Sequence, residues 1–275
     1  MISAVSNIHF CNKYPKAVSF GSLEREVFED KERTKIKHRN NTNLFRNDIN
    51  WNRVTKFITS GNKPKKIYCY ACSDGSEPYT IAIMLISKLG WDGAKKYFPI
   101  IAKDIDPYAI HRAKSGYIKL MPTDIIAMME HQKAPLSDFF IFKRNCHIPN
   151  WKYSTFKVSD KLRQCVYFEK GDILTDIGSL NYDNAIIFFR NVWPYLNEEQ
   201  QDKLMSSFAK NFKENSAVIV GGFDEDPKEN YFLYTDFEKK MKKHGLYNTK
   251  PRTYQKYNTK TFRDFIRVLW SKIIY

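Results

Sequence analysis

The chain lacks the features that would set it apart from ordinary globular enzymes. No apolar run reaches the ~18 residues needed to cross a bilayer, so no membrane insertion is expected. The start carries no basic leader ahead of a long apolar region, so no secretory signal is expected. No internal repeat or low-complexity tract is present. The five cysteines (Cys11, Cys69, Cys72, Cys146 and Cys165) form an odd set without framework spacing, which fits a reducing, cytoplasmic setting. Cys69 and Cys72 spell Cys-x-x-Cys, yet no second ligand pair completes a zinc site. They precede a turn instead of opening a helix, where the dipole would activate a thiol. Both read as small buried strand residues, and no metal is expected. Acidic residues are also scarce. The 30 Asp and Glu against 45 Lys and Arg leave a net charge of +15. That excess favours acidic partners: nucleic acid, an anionic membrane surface or an acidic protein face. Basic runs at 31–39 and 239–243 carry much of it, each readable alone as a solvated helix face.

What is present is enough for one large α/β domain with additions, or two small ones: 275 residues, 43% of them apolar. The organising stretch is 65–80. A short apolar run with β-branched and aromatic residues reads as a buried strand, and the small residues from Ala71 to Ser76 end it. Pro78 suits a first helical turn, and Ile81, Ala82, Met84, Leu85 and Leu89 continue at helical spacing to Gly90. Strand, glycine turn and helix form the opening unit of a doubly wound nucleotide-binding sheet. Glu77 places a carboxylate in the crevice, so the ligand end it meets should be cationic.

Residues 1–20 have no clear period and read as an arm; 23–39 is charge-rich and helix-compatible. The Asn/Thr cluster at 40–43 predicts the start of a helix running through Trp51, Val54 and Phe57, broken at 61–64. A second parallel strand, 99–106, ends in acids. Asp104 sits where such sheets bind ribose hydroxyls, with Asp106 as cap of a helix to Gly116. Residues 117–165 exceed an ordinary βα connection and predict an inserted small sheet with strands near 139–143 and 153–158. The parallel sheet resumes at 166–174. The run 183–191 has the continuous apolar character of a central strand buried on both faces. A helix after Asn197, a strand at 217–220 and a final antiparallel strand at 265–270 complete the reading.

Four ordered segments resemble the chemotaxis receptor (CheR-type) methyltransferases, which use S-adenosylmethionine. Ser73-Asp-Gly-Ser-Glu77-Pro-Tyr-Thr80 resembles the family's Ser-Thr-Gly-Glu-Glu-Pro-Tyr-Ser turn. Ala102-Lys-Asp104-Ile-Asp106, with Ala113-Lys-Ser-Gly116, resembles its Ala-Ser-Asp-Ile-Asp … Ala-Arg-Ser-Gly segment. Phe189-Arg190-Asn191-Val192-Trp-Pro-Tyr195 resembles Cys-Arg-Asn-Val-x-Ile-Tyr, and Asn40-x-Thr42-x-Leu44-Phe45-Arg46 resembles Asn-x-Thr-x-Phe-Phe-Arg. The match covers about 38–225. It implies a class I (Rossmann-like) methyltransferase domain at 61–275 with an insertion at about 117–165, after an amino-terminal arm and helices at 1–60. It further implies that Glu77 holds the cofactor's amino group and Asp104 its ribose, and that Asp172 and Ile173 line the adenine. Arg190 and Asn191 would contact the cofactor. Asn40, Thr42 and Arg46 would close the pocket near the methionine end, and Tyr195 would lie beside the transferred methyl. The product would be S-adenosylhomocysteine, and Arg46 and Tyr195 would orient the reactants.

Two departures stand out. Asp172 replaces the family's Asn and loses a donor, and Pro194 replaces an aliphatic residue directly before Tyr195. The amino-terminal segment is also shorter than the family's helical domain, which contacts receptors. The implied reaction is methylation of a glutamate side chain in an acidic protein partner, such as chemoreceptor cytoplasmic helices. A glutamate is already ionised at neutral pH, so ester formation needs no general base. Two alternatives stay open. One is methylation of an amine in nucleic acid or protein, since Asn191-Val-Trp-Pro194-Tyr195 echoes Asn/Asp-Pro-Pro-Tyr. The other is a non-catalytic module that binds the cofactor.

Overall fold

The computed structural model describes residues 42–131, 135–148, 151–213, 215–225, 236–250 and 252–256. The arm, the 23–39 segment, Asn40 and the strand expected at 265–270 lie outside the described residues.

The main sheet has seven strands in the order β6-β2-β1-β7-β8-β10-β9. These are β1 (Lys66–Tyr70), β2 (Ile100–Asp104), β6 (Val166–Lys170), β7 (Ala185–Phe189), β8 (Ala217–Ile219), β9 (Leu246–Lys250) and β10 (Thr253–Lys256). The first five are parallel, and β10 and β9 complete the sheet antiparallel. From β1 the chain builds outward through β2 and β6, then returns to β7 on β1's other side. That reversal makes a topological switch point between β1 and β7, where open α/β sheets bind ligands. The doubly wound class is therefore as the sequence predicts. The β9–β10 hairpin was not foreseen, because its polar, basic residues give no clean alternation.

The two-residue period of β7 divides the core. Ile186 and Phe188 join a cluster with helix α1 (Trp51–Ile58) and helix α2 (Ser76–Ala94), while Ile187 and Phe189 face the opposite layer. All five β7 residues are buried, and each large apolar side chain contributes about 2–3 kcal/mol by burial. Strands β3 (Tyr117–Leu120), β4 (Phe140–Ile148) and β5 (Trp151–Val158) form the separate antiparallel sheet expected of the insertion.

One helix boundary differs from expectation. The helix expected after the Asn/Thr cluster starts at Trp51, not near residue 43. Asn50 is its cap, accepting from Arg53 N, and Phe45 takes a left-handed φ of 52° that no helix tolerates. The helix from Ser76 breaks at Gly90 as expected, where φ of 70° and ψ of 169° are non-helical, and a second helical stretch carries the α2 span on to Ala94.

The loop after β1 is tightly wound. Ala71, Ser73 and Gly75 have φ values of 55°, 52° and 90°, so it alternates into the left-handed region. A Cβ on Gly75 would lie 2.9 Å from Phe168 Cζ and 3.1 Å from Tyr79 Cε2. Gly75→Ala is expected to lower the unfolding free energy by about 1–3 kcal/mol, from backbone strain and overpacking together. Urea denaturation measures this, and an unchanged midpoint would show that the loop relaxes freely.

Candidate active site

Strand alternation sends Arg190 out of the end of β7 on the same side as Phe188, over α1 and toward α2. Its side chain is only 2% exposed. Nη1 donates to Glu77 Oε2 and Nη2 to Asp48 Oδ1, and the guanidinium lies 5.1 Å from the centre of the Trp51 ring. Glu77, in the first turn of α2, also accepts from Cys69 Sγ at 3.0 Å. Glu77 and Arg190 thus span the β1/β7 switch point. Asp104, at the tip of β2, accepts from Ser73 N at 2.8 Å and Asp106 N at 2.9 Å, binding the acidic tip to the glycine loop. Asp106 caps the next helix through Tyr108 N, as its position predicts.

Asp48 is the residue that local sequence reasoning missed. It accepts from Arg190, from Asn191 Nδ2 at 3.2 Å and from Gly222 N at 3.1 Å, and lies 3.8 Å from Arg46 Nε. Burial opposes its charge, but Arg190, the Gly222 N–H and Arg46 outweigh that and hold the carboxyl below its ordinary value. These hydrogen-bond partners lie 142 to 174 positions along the chain, so no local motif marks it. The segment carrying it is seated by Phe45 N donating to Thr80 Oγ1 at 3.0 Å and by burial of Leu44 and Phe45.

Asp224 was also missed. Buried in helix α8 (Gly222–Glu225), it accepts from the N–H groups of Asn191, Val192, Trp193 and Gly221 at 2.5–3.0 Å. Burial pushes its carboxyl up to about 7 against the pull of those four donors.

The other expected site residues are placed as follows. Asn191 has a left-handed φ of 60°, and its amide is spent within the chain, donating to Asp48 and accepting from Phe223 N at 3.2 Å. Asp172 caps the short helix α6 (Ile173–Asp176) by accepting from Leu174 N at 2.9 Å; Ile173 is buried. Thr42 is half-buried. Tyr195 ends a 3-10 turn, 60% exposed, with its ring centre 6.1 Å from that of Phe223. The structure brings Arg46, Glu77, Arg190 and Asn191 into one network through Asp48, with Asp104 across the glycine loop. Ile105, beside Asp104 and 52% exposed, adds an apolar surface that the sequence reading overlooked.

Cys69 lies on β1, but Cys72 lies in the loop beyond it, not on the strand; both are buried. Burial and the Glu77 carboxylate push the Cys69 thiol well above its ordinary range; burial and Asp104 do the same to Cys72. Neither is a thiolate nucleophile.

The family model described as "CheR methyltransferase, SAM binding domain" matches residues 40–243. The chain belongs to the CheR family. The matched stretch is the family's SAM-binding domain, which makes S-adenosylmethionine the cofactor. A chemotaxis protein methyltransferase of Listeria monocytogenes is 24% identical over 191 residues, 68% of this chain and 65% of that protein. One from Borreliella burgdorferi is 27% identical over 60% of this chain and 54% of its own. Chemotaxis protein methyltransferase 2 of Pseudomonas aeruginosa is 32% identical over 58% of this chain and 53% of its own. The chain therefore spans between about half and just under two thirds of these relatives' lengths.

The site's residues fit that cofactor. Arg190 Nε and Ser73 Oγ are buried polar atoms with no hydrogen-bond partner among the described residues. Carboxylates at Glu77 and Asp104 match an ammonium and a vicinal diol.

Proposed function

We propose that this chain transfers a methyl group from S-adenosylmethionine to a glutamate side-chain carboxylate of an acidic protein, of the chemoreceptor type. The observation that carries this reading is the Glu77–Arg190 pair across the sheet's switch point, with Asp104 one strand away, in a chain of the CheR family.

Glu77 would hold the cofactor's ammonium and Asp104 its ribose diol. Ile173 and Ile105 would offer apolar surface to the adenine, with Asp172 accepting from its amino group. Arg190 and Asn191 serve by holding carboxylates in place. Thr42 and Arg46, with Asn40 from outside the described residues, would close the methionine end, and Tyr195 would face the acceptor. When bound, the cofactor supplies an electrophilic methyl on a positively charged sulfur. The chain's part is to align acceptor and donor about 3 Å apart and exclude water. An ionised glutamate needs no proton removed before it attacks. The net charge of +15 suits an acidic partner. The relatives named as chemotaxis methyltransferases support the acceptor class. The amine reading is disfavoured by Asn191, whose amide is committed to Asp48 and Phe223 N instead of being open to a substrate amine.

The test is to supply methyl-labelled cofactor with purified chemoreceptor cytoplasmic helices and then raise the pH. Release of labelled methanol is expected. Label retained through alkali would establish an amine acceptor, and no incorporation would leave a binding module.

A further inference from the structure

Arg190 is a full positive charge almost wholly removed from solvent, and it lies against Glu77. A carboxylate paired one-to-one with a buried guanidinium presents no net charge to a third group. Such a pair would be a poor receptor for an ammonium. The structure resolves this by giving Arg190 two carboxylates. Asp48 takes Nη2 while Glu77 takes Nη1, so the trio carries one surplus negative charge. Arg46, 39% exposed and 3.8 Å from Asp48, offsets only part of it, because solvent weakens that pair. The two acids are about equally exposed, but Glu77 lies in the first turn of α2 at the switch-point crevice, whereas Asp48 also accepts from Asn191 Nδ2 and Gly222 N.

We propose that Asp48 is a positioning residue for the cofactor's amino-acid end: it neutralises Arg190 and so leaves the Glu77 charge available to a cation. It acts through Arg190 and Glu77, not by touching the ligand. This inference rests on the reading that Glu77 meets the cofactor's ammonium.

Three probes separate the possibilities by calorimetry on the full chain. S-adenosylhomocysteine carries ammonium and carboxylate, S-adenosyl-3-thiopropylamine carries only the amine, and 5′-methylthioadenosine carries neither. Asp48→Asn is expected to weaken the first two by about tenfold or more, the order set by losing one charge across a partly buried site. The third should be unchanged. Asp48→Glu, which keeps the charge, should bind both amine probes within about threefold of wild type by the same reasoning. Should Asp48→Asn not fold, judged by its melting curve, Asp48→Ser takes its place. Equal weakening of all three probes would reduce Asp48 to a structural role. Weakening of S-adenosylhomocysteine alone would route the effect through the ligand carboxylate and Arg46. Either result overturns the proposal. Glu77→Gln is the control on the underlying reading. If it leaves both amine probes unaffected, the ammonium assignment itself fails. If it weakens them while Asp48→Asn does not, only the role of Asp48 falls.

Discussion

Arg190→Met is expected to lower the unfolding free energy at pH 7 by about 3–5 kcal/mol, the usual cost of removing one partner from a buried ion pair. The substitution leaves two part-buried carboxylates, Asp48 and Glu77, facing each other without their shared cation, and it removes the guanidinium from the Trp51 ring. Urea denaturation of wild type and variant measures the loss. The pH dependence identifies its cause. In the wild type Arg190 helps hold the Asp48 carboxyl below its usual 3.8. That contribution is present above pH ~4 and fades as pH falls through the lowered value. In the variant Asp48 loses that cation and is easier to protonate, so acid relieves the repulsion between the two carboxylates. The two stability curves should converge below pH ~4, and parallel curves would show that lost packing, not charge, sets the penalty.

Asp224→Asn is expected to cost about 2–4 kcal/mol and to abolish most turnover. The carboxylate receives four backbone N–H groups, three of them consecutive in the chain between Arg190 and Tyr195. An amide of the same shape turns an NH2 toward some of those donors, leaving buried N–H groups unsatisfied. The turn that carries Tyr195 would loosen with them. Burial raises the Asp224 carboxyl from 3.8 to about 7 in the folded chain. The native state therefore binds the proton more readily than the unfolded one, and this group's contribution falls as pH rises from about 4 to 7. The variant lacks that slope, so its deficit should be largest near pH 4 and narrow toward pH 7. A constant deficit across that range would mean that Asp224 does not titrate there.

Much of the fold was legible because it is written in local pattern. The apolar run of β7, buried at all five positions, and the Gly75 loop between β1 and α2 follow from strand burial and turn chemistry. Asp106 and Asn197 signal their helices by capping, and both do cap them. The Asn/Thr cluster at 40–43 predicts the start of α1 too early, because Asn50 supplies the cap. The chain's order of residues was thus sufficient to determine a doubly wound sheet, a glycine loop with Glu77 at its end, and Asp104 at the next strand tip. Each depends on spacings of two to four residues or on one strand–turn–helix unit.

What only the tertiary structure decided is which charges meet. Asp48 reaches Arg190 and Gly222 from 142 and 174 positions away, and Asp224, just past the end of β8, holds the turn after the neighbouring strand β7. Buried charges cannot remain unpaired, and their partners are chosen by packing, not by neighbourhood in the sequence. For that reason the acids at the loop and the second strand tip were visible beforehand, and the two that hold the arginine and its turn in place were not.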